Sequence, residues 1–231
     1  MTATAQIIQF PGTTAQATRT RSTKKRKPTK AFNDIKYFTN HQIKFIRRQV
    51  RDAYALARAK AQVTAIREWM LIDILTRTGL RSAEAADLRC GDVLTSYGES
   101  SLFVRAGKGY KTRYVEIQPG LKTHLNSFIK WKEQQGEPTG MDDHLFLGQR
   151  GPWTPAAVQQ CCKKWIRHCD LDQPGLSAHT FRHSYAVELY QEKRCLRTVQ
   201  KQLGHASIQT TQIYADVTKE DIQDQIKGMW N

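Results

Sequence analysis

The chain has 231 residues and carries 36 Lys and Arg against 21 Asp and Glu, a formal net charge of +15. That excess favours a polyanionic partner, nucleic acid first and an anionic membrane surface second. No stretch approaches the ~20 uninterrupted apolar residues of a spanning helix, and the start lacks the basic-then-apolar order of a secretory signal, so a soluble intracellular protein without a membrane partner is expected. Residues 1 to about 30 are rich in Thr, Ala and Gln and end in a run holding Arg19, Arg21, Lys24, Lys25, Arg26, Lys27 and Lys30 with no acidic residue. Such a segment cannot build a core and reads as a disordered basic arm, residues 1–37, suited to phosphate contacts.

The ordered region is expected to begin near Phe38. Thr39 or Asn40 can cap a helix bearing Ile43, Ile46, Val50 and Tyr54 at helical spacing. A second helix runs from about Gln62 to Thr78, with Gly79 placed to end it, and Ser82 is read as the cap of a short helix reaching about Leu88. Leu102 to Arg105 and Arg113 to Ile117 alternate as strands around Gly107-Lys108-Gly109-Tyr110-Lys111, a hairpin tip. Pro119 opens an amphipathic helix through Leu121, Leu125, Phe128 and Ile129, and Thr154-Pro155 opens another through Ile166. Three short helices follow, His179 to about Tyr190, Leu196 to Leu203 and Ser207 to Tyr214, the last two separated by Gly204. A final helix starts at the Thr218-x-x-Asp221 cap and carries Ile222, Ile226 and Met229. The whole is mainly α with a small antiparallel β-sheet, an α+β arrangement, in one main domain over residues 38–231.

The cysteines Cys90, Cys161, Cys162, Cys169 and Cys195 are odd in number and no pair has C-x-x-C spacing, so a metal site is not expected. Cys161, Cys162 and Cys169 lie among apolar neighbours and read as buried thiols in a reducing compartment.

Five short segments can carry chemistry. Arg81, at the start of a helix with Glu84 one turn on, can offer two N–H groups to a phosphate beside a helix N-terminus, or can simply flank an ordinary capping box. Lys108 between glycines can swing toward a leaving oxygen, or be a solvated turn. His179 and Arg182 share a helix face. Leu203-Gly204-His205 is followed by Tyr214, a helical Tyr of the kind usually found at the edge of a core.

Taken in order and approximate spacing, Arg81, Lys108, His179 with Arg182, His205 and Tyr214 resemble the tyrosine recombinases, also called the phage integrase family. The likeness runs from about Phe38 to the C-terminus, through the phrases TGLRSAEAADLRCGDV, GKGYKTRYVEI, HTFRHSYA and LGHASIQTTQIY. Two features depart from it. Members usually carry a separate helical DNA-clamping domain of roughly a hundred residues where this chain has the arm, and Asp216 stands where the family often shows His.

The resemblance implies a catalytic domain that cleaves and rejoins double-stranded DNA through a 3′-phosphotyrosyl intermediate. Tyr214 would be the nucleophile, Arg81 and Arg182 the phosphate clamp, His205 a further hydrogen-bond donor, His179 the base and Lys108 the acid for the departing 5′ oxygen. No cofactor or metal would be needed. Lys111 and the basic arm would add DNA contacts, and a homo-oligomer would assemble on DNA through the C-terminal helix, in the cytoplasm with the nucleoid. The rival readings are a type IB topoisomerase-like relaxing enzyme and a non-catalytic DNA-binding protein of the same fold.

Overall fold

The computed structural model describes residues 35–60, 62–105 and 112–216. Residues 1–34 of the expected arm, Lys108 and Lys111, and the expected final helix from Thr218 lie outside the described residues, whereas Lys36, within the expected arm, donates to the Pro174 carbonyl.

Helix α1 (Asn40–Ala59) starts at a reciprocal cap: the Gln42 N–H donates to Thr39 Oγ1 at 3.3 Å, and the Thr39 N–H donates to Gln42 Oε1 at 2.9 Å. Its Ile46, Val50 and Ala57 are buried. Helix α2 (Val63–Thr78) is different in kind, because Met70, Leu71, Ile72, Ile74 and Leu75 and also Glu68, Asp73 and Thr76 are buried, which leaves it almost no exposed face. A helix buried on all its faces is enclosed by its neighbours. Accordingly it packs against α1, α3 (Ser82–Asp87), α4 (Pro119–Gln134), α5 (Pro155–His168) and α6 (Ala178–Lys193). It ends at Gly79, whose φ of +63° and the Tyr185 ring 2.6 Å from where a Cβ would stand both require glycine. The chain therefore leaves the middle of the core at a fixed point, two residues before Arg81.

Among the buried charged groups is Asp73 of α2, whose side chain is fully buried. Arg47 of α1 donates to it, His124 of α4 lies 2.8 Å from Oδ2, and Arg77 Nε approaches Oδ1 to 3.0 Å as a charge contact. One carboxylate thus ties three helices together. Burial opposes its ionisation, but the hydrogen bond from His124 and the Arg47 and Arg77 charges hold its pKa below the usual carboxylate value. Asp73→Ala is expected to destabilise the protein by about 3–5 kcal/mol, since it strands partly buried guanidinium groups. Urea unfolding at neutral pH checks this, and a loss within about 0.5 kcal/mol, the range of ordinary surface changes, would contradict it.

A three-stranded antiparallel sheet, β1 (Val93–Leu94), β2 (Ser101–Val104) and β3 (Arg113–Glu116), stands in sequence order. Its register pairs Leu102 with Val115 and Val104 with Arg113, and Leu102, Val104 and Val115 turn into the core. The β2–β3 hairpin agrees with the sequence expectation. Strand β1 and a second small hairpin, β4 (Leu147–Gly148) with β5 (Gly151–Pro152), were not expected. Two-residue strands are too short for alternation to register.

Ser82 is not the cap of α3 that the sequence suggested. Arg81 occupies the capping position with extended backbone, and its N–H donates to Glu84 Oε2 at 2.8 Å. A carboxylate at the third helical position satisfies that N–H better than a hydroxyl one residue inside the helix can.

Thr154 caps α5 as expected, and Cys161, Cys162 and Cys169 are buried free thiols whose pKa values burial raises. Helices α6, α7 (Leu196–Leu203) and α8 (Gln209–Asp216) enclose a small second cluster of Ala186, Val187, Val199, Leu203 and Tyr214, distinct from the main core. Among the described residues no helix is long and apolar enough to cross a membrane.

Candidate active site

The site forms where the C-terminal ends of α2 and α7 meet the N-terminal half of α6. Arg182 of α6 is 3% exposed, and its Nη1 donates to the Gly79 carbonyl and its Nη2 to the Leu203 carbonyl, each at 2.8 Å. These carbonyls belong to helix ends, which lack intrahelical donors and carry partial negative charge. The guanidinium therefore joins two helix termini, with N–H groups remaining for a ligand. Burial, and then the neighbouring Arg81 charge, pull its pKa down to about 10, so it stays cationic at neutral pH.

Arg81 donates through Nη1 to Glu84 Oε1 at 2.7 Å. The same carboxylate accepts a two-pronged pair from Arg113 of β3, at 2.8 and 2.9 Å, and lies 3.9 Å from Arg182 Nη1. Three guanidinium groups thus surround one carboxylate. Its pKa falls to about 2 because the Arg113 and Arg81 interactions outweigh the cost of burial. Arg113 also donates from Nε to the Gln202 carbonyl at 3.3 Å. It fills the space beside Gly204, where φ is +68° and a Cβ would stand 2.6 Å from Arg113 Cδ. A side chain at position 204 would push Arg113 off Glu84 and loosen the anchor of Arg81. Arg113 also pairs with Val104 across the base of the hairpin on which Lys108 lies, so that base is fixed to the site.

His205 follows Gly204. Its Nδ1 lies 3.0 Å from Thr211 Oγ1, and its ring stacks on that of Tyr214 at 6.3 Å and 14°. Desolvation, then the charges of Arg182 and Arg81, lower its pKa to about 4. The ring is therefore neutral at pH 7, and when Thr211 donates to Nδ1, the proton sits on Nε2 and can be given to a ligand.

This depressed pKa has a consequence for stability. The unfolded chain takes up a proton at this histidine near pH 6.5 and the folded protein only near 4, so stability present above 6.5 is lost as pH falls through 4. His205→Asn is expected to flatten that decline in thermal unfolding between pH 7 and 4. An unchanged slope would assign the decline to other groups.

Tyr214 lies on α8 with 1% of its surface exposed. Desolvation raises its pKa, while Arg182 and Arg81 act in the opposite direction. Its hydroxyl is 2.9 Å from Nδ1 of His183. His183 is therefore the α6 imidazole hydrogen-bonded to Tyr214, whereas the sequence pointed to His179. His179 is itself exposed in the first turn of α6, and its ring packs edge-on against His183 with centroids 6.4 Å apart. Its pKa is lowered by desolvation, then by the Arg182 and Arg81 charges.

The fold thus gathers Arg81, Arg182, His205 and Tyr214, with His179 at the margin. Lys108, Lys111 and Arg19 to Lys30 of the arm lie outside the described residues. Sequence reasoning missed Arg113, His183 and Thr211 and treated Glu84 only as a helix-capping partner. A signal existed for His183: it follows Arg182 directly and lies one turn after His179, on the same face.

The sequence profile of the phage integrase family matches residues 36–221. The chain belongs to that family. Its relatives include a tyrosine recombinase XerD of Halalkalibacterium halodurans, 33% identical over 162 residues that cover 69% of this chain and 52% of the relative. Another is a tyrosine recombinase XerC of Listeria welshimeri, 32% identical, covering 70% of this chain and 53% of the relative. The chain spans about half the length of these curated relatives. Among solved structures it is similar to the XerH site-specific recombinase bound to a palindromic difH substrate in a post-cleavage complex. That likeness has a TM-score of 0.68 at 27% identity and covers 85% of this chain and 53% of that one. The XerA recombinase, at TM-score 0.65 and 23% identity, covering 83% of this chain and 64% of that one, shows the shared fold. The mainly helical architecture with its small antiparallel sheet is therefore the phage integrase catalytic fold.

Proposed function

We propose that this member of the phage integrase family is the catalytic part of a site-specific recombinase that breaks and rejoins duplex DNA through a 3′-phosphotyrosyl link at Tyr214. The observation that carries the reading is the phenolic hydroxyl buried within the field of two arginines, Arg81 and Arg182, beside a neutral His205. A phosphodiester resists attack because its oxygens are anionic and its alkoxide leaves poorly, so fixed positive charge lowers the barrier most. Guanidinium suits the task, being always charged and planar. Arg81 and Arg182 hold the non-bridging oxygens, His205 donates to one of them, an α6 imidazole receives the phenolic proton, and Lys108 protonates the departing 5′ oxygen.

The covalent link conserves the bond energy until a 5′ hydroxyl of another strand attacks, so no nucleotide or metal is called for.

In this reading residues 38–231 form the catalytic unit, and residues 1–37 are an arm that adds sequence-independent phosphate contacts, with Lys111 near the cut. The working form is a homo-oligomer on DNA joined through the C-terminal helix, at the nucleoid. Deleting residues 19–30 is expected to flatten the salt dependence of DNA binding, each lost phosphate contact taking ~0.9 from the slope of log affinity against log salt. An unchanged slope in filter binding would remove the arm from the interface.

The reading as a whole is tested with a library of nicked random-sequence duplexes, denatured after incubation so that only covalently held DNA stays on the protein. The expected adduct joins a 3′ phosphate to the peptide containing Tyr214, with one recovered sequence enriched. Absence of any adduct, or attachment to another residue, would overturn it.

A further inference from the structure

We infer that His183 is the group that takes the proton from Tyr214 as it attacks, an assignment that rests on the reading of Tyr214 as nucleophile. The first observation is contact: His183 Nδ1 lies 2.9 Å from the Tyr214 hydroxyl, within the reach a general base requires. A phenol that is protonated at neutral pH donates in such a pair, so Nδ1 is the acceptor and the imidazole proton sits on Nε2.

The second observation is the alternative. His179, exposed itself, stands one turn earlier on α6, and among the described residues its ring makes no hydrogen bond. His205 lies nearly parallel to the Tyr214 ring with centroids 6.3 Å apart and directs Nδ1 to Thr211, so that nitrogen is already engaged. Of the three imidazoles, the one that meets the phenolic oxygen is thus His183. Among the described residues, the titratable groups facing it include His179 on its own helix, His205 after α7 and Tyr214 on α8, and Arg182 and Arg81 act on Tyr214 and His205 beside it.

The step balances. The Oη–phosphorus bond forms, the phosphorus–O5′ bond breaks, and the phenolic proton passes to Nδ1. The 5′ oxygen leaves with its electron pair and takes a proton from a separate donor, Lys108 in this reading. The resulting imidazolium faces the anionic phosphate. On rejoining, the same proton returns to Oη as the 5′ hydroxyl displaces it. His179, packed edge-on against His183, acts on the reaction through that ring or through the phosphate.

The test uses the nicked duplex recovered from the library, rebuilt with sulfur in place of the bridging 5′ oxygen. A thiolate leaves without protonation, so the pH dependence of adduct formation reports the base and not the acid. Wild type is expected to rise with pH to a plateau with a histidine-like midpoint. His183→Asn keeps an oxygen near the Nδ1 position that can accept a hydrogen bond but not a proton. It is expected to retain DNA binding and thermal stability, to cleave ~10²–10⁴-fold more slowly at neutral pH, and to climb about tenfold per pH unit with no plateau. His183→Gln serves as the second variant, with the same expectation, should the Asn form fold poorly.

His179→Asn should keep the wild-type midpoint whatever rate it loses. Cleavage by the folded His183 variant within threefold of wild type, or loss of the plateau in His179→Asn instead, would overturn the assignment. Tyr214→Phe separates the two levels. An adduct formed by it would overturn the nucleophile and the His183 assignment together, whereas an inactive Tyr214→Phe beside an unimpaired His183→Asn would overturn only the latter.

Discussion

Tyr214→Phe is expected to form no covalent adduct with DNA while folding and binding DNA nearly as well as the parent chain. The substitution removes one oxygen and keeps the ring that packs with Ala186, Val187, Val199 and Leu203. What is lost structurally is one hydrogen bond to His183, worth about 0.5–1.5 kcal/mol, plus the cost of leaving a partly buried ring nitrogen to find water. What is lost chemically is the only atom at that position able to bond to phosphorus. The two losses differ so much in size that one protein sample separates them. Thermal unfolding should shift by a few degrees at most, by the usual relation of energy to midpoint for a domain of this size, and the denaturing gel should show no shifted band. A variant that loses both fold and adduct would make Tyr214 a core residue, as a helical Tyr most often is.

Arg182→Ala should lose both rate and stability, because this arginine has two tasks. Without it the carbonyls of Gly79 and Leu203 lose their donors at buried helix ends, at about 1–3 kcal/mol for each that water cannot reach. Without it the phosphate also loses one of two preorganised cations, a change that typically lowers rate by ~10²–10³. Arg182→Lys divides the tasks. An ammonium restores a positive charge but lacks the planar fork that reaches two carbonyls and still offers N–H groups outward. It should recover part of the stability and little of the cleavage. Urea unfolding and single-turnover adduct formation, measured on both variants, decide it. Cleavage within a few-fold of the parent in Arg182→Ala would refute a role on the phosphate, and unchanged unfolding would refute the role at the helix ends.

Much of this was legible in the chain itself, for local reasons. The Thr39 and Thr154 caps, the stop at Gly79, the break at Gly204 and the β2–β3 hairpin depend on neighbours a few residues away, so spacing and residue type were enough to find them. The order of Arg81, Arg182, His205 and Tyr214 suggested one site through its resemblance to the tyrosine recombinases, each segment by itself being open to an ordinary structural reading. The short strands β1, β4 and β5 were not legible, because two residues cannot display a period.

The tertiary structure alone decided how the site is held. Glu84 appears in the sequence as a partner for its own helix terminus, and only when β3 comes alongside does it also receive Arg113, 29 residues away. Arg182 offers no sign in sequence that its guanidinium ends on the carbonyls of Gly79 and Leu203, 103 and 21 residues distant. The choice between His179 and His183 was equally out of reach. Both share one face of α6, and which imidazole meets Tyr214 depends on where α8 returns across that face. The resemblance carried by the chain's motifs could name candidate groups. Their hydrogen-bond partners come from segments far apart in sequence, so only the packed fold could say which atom faces which.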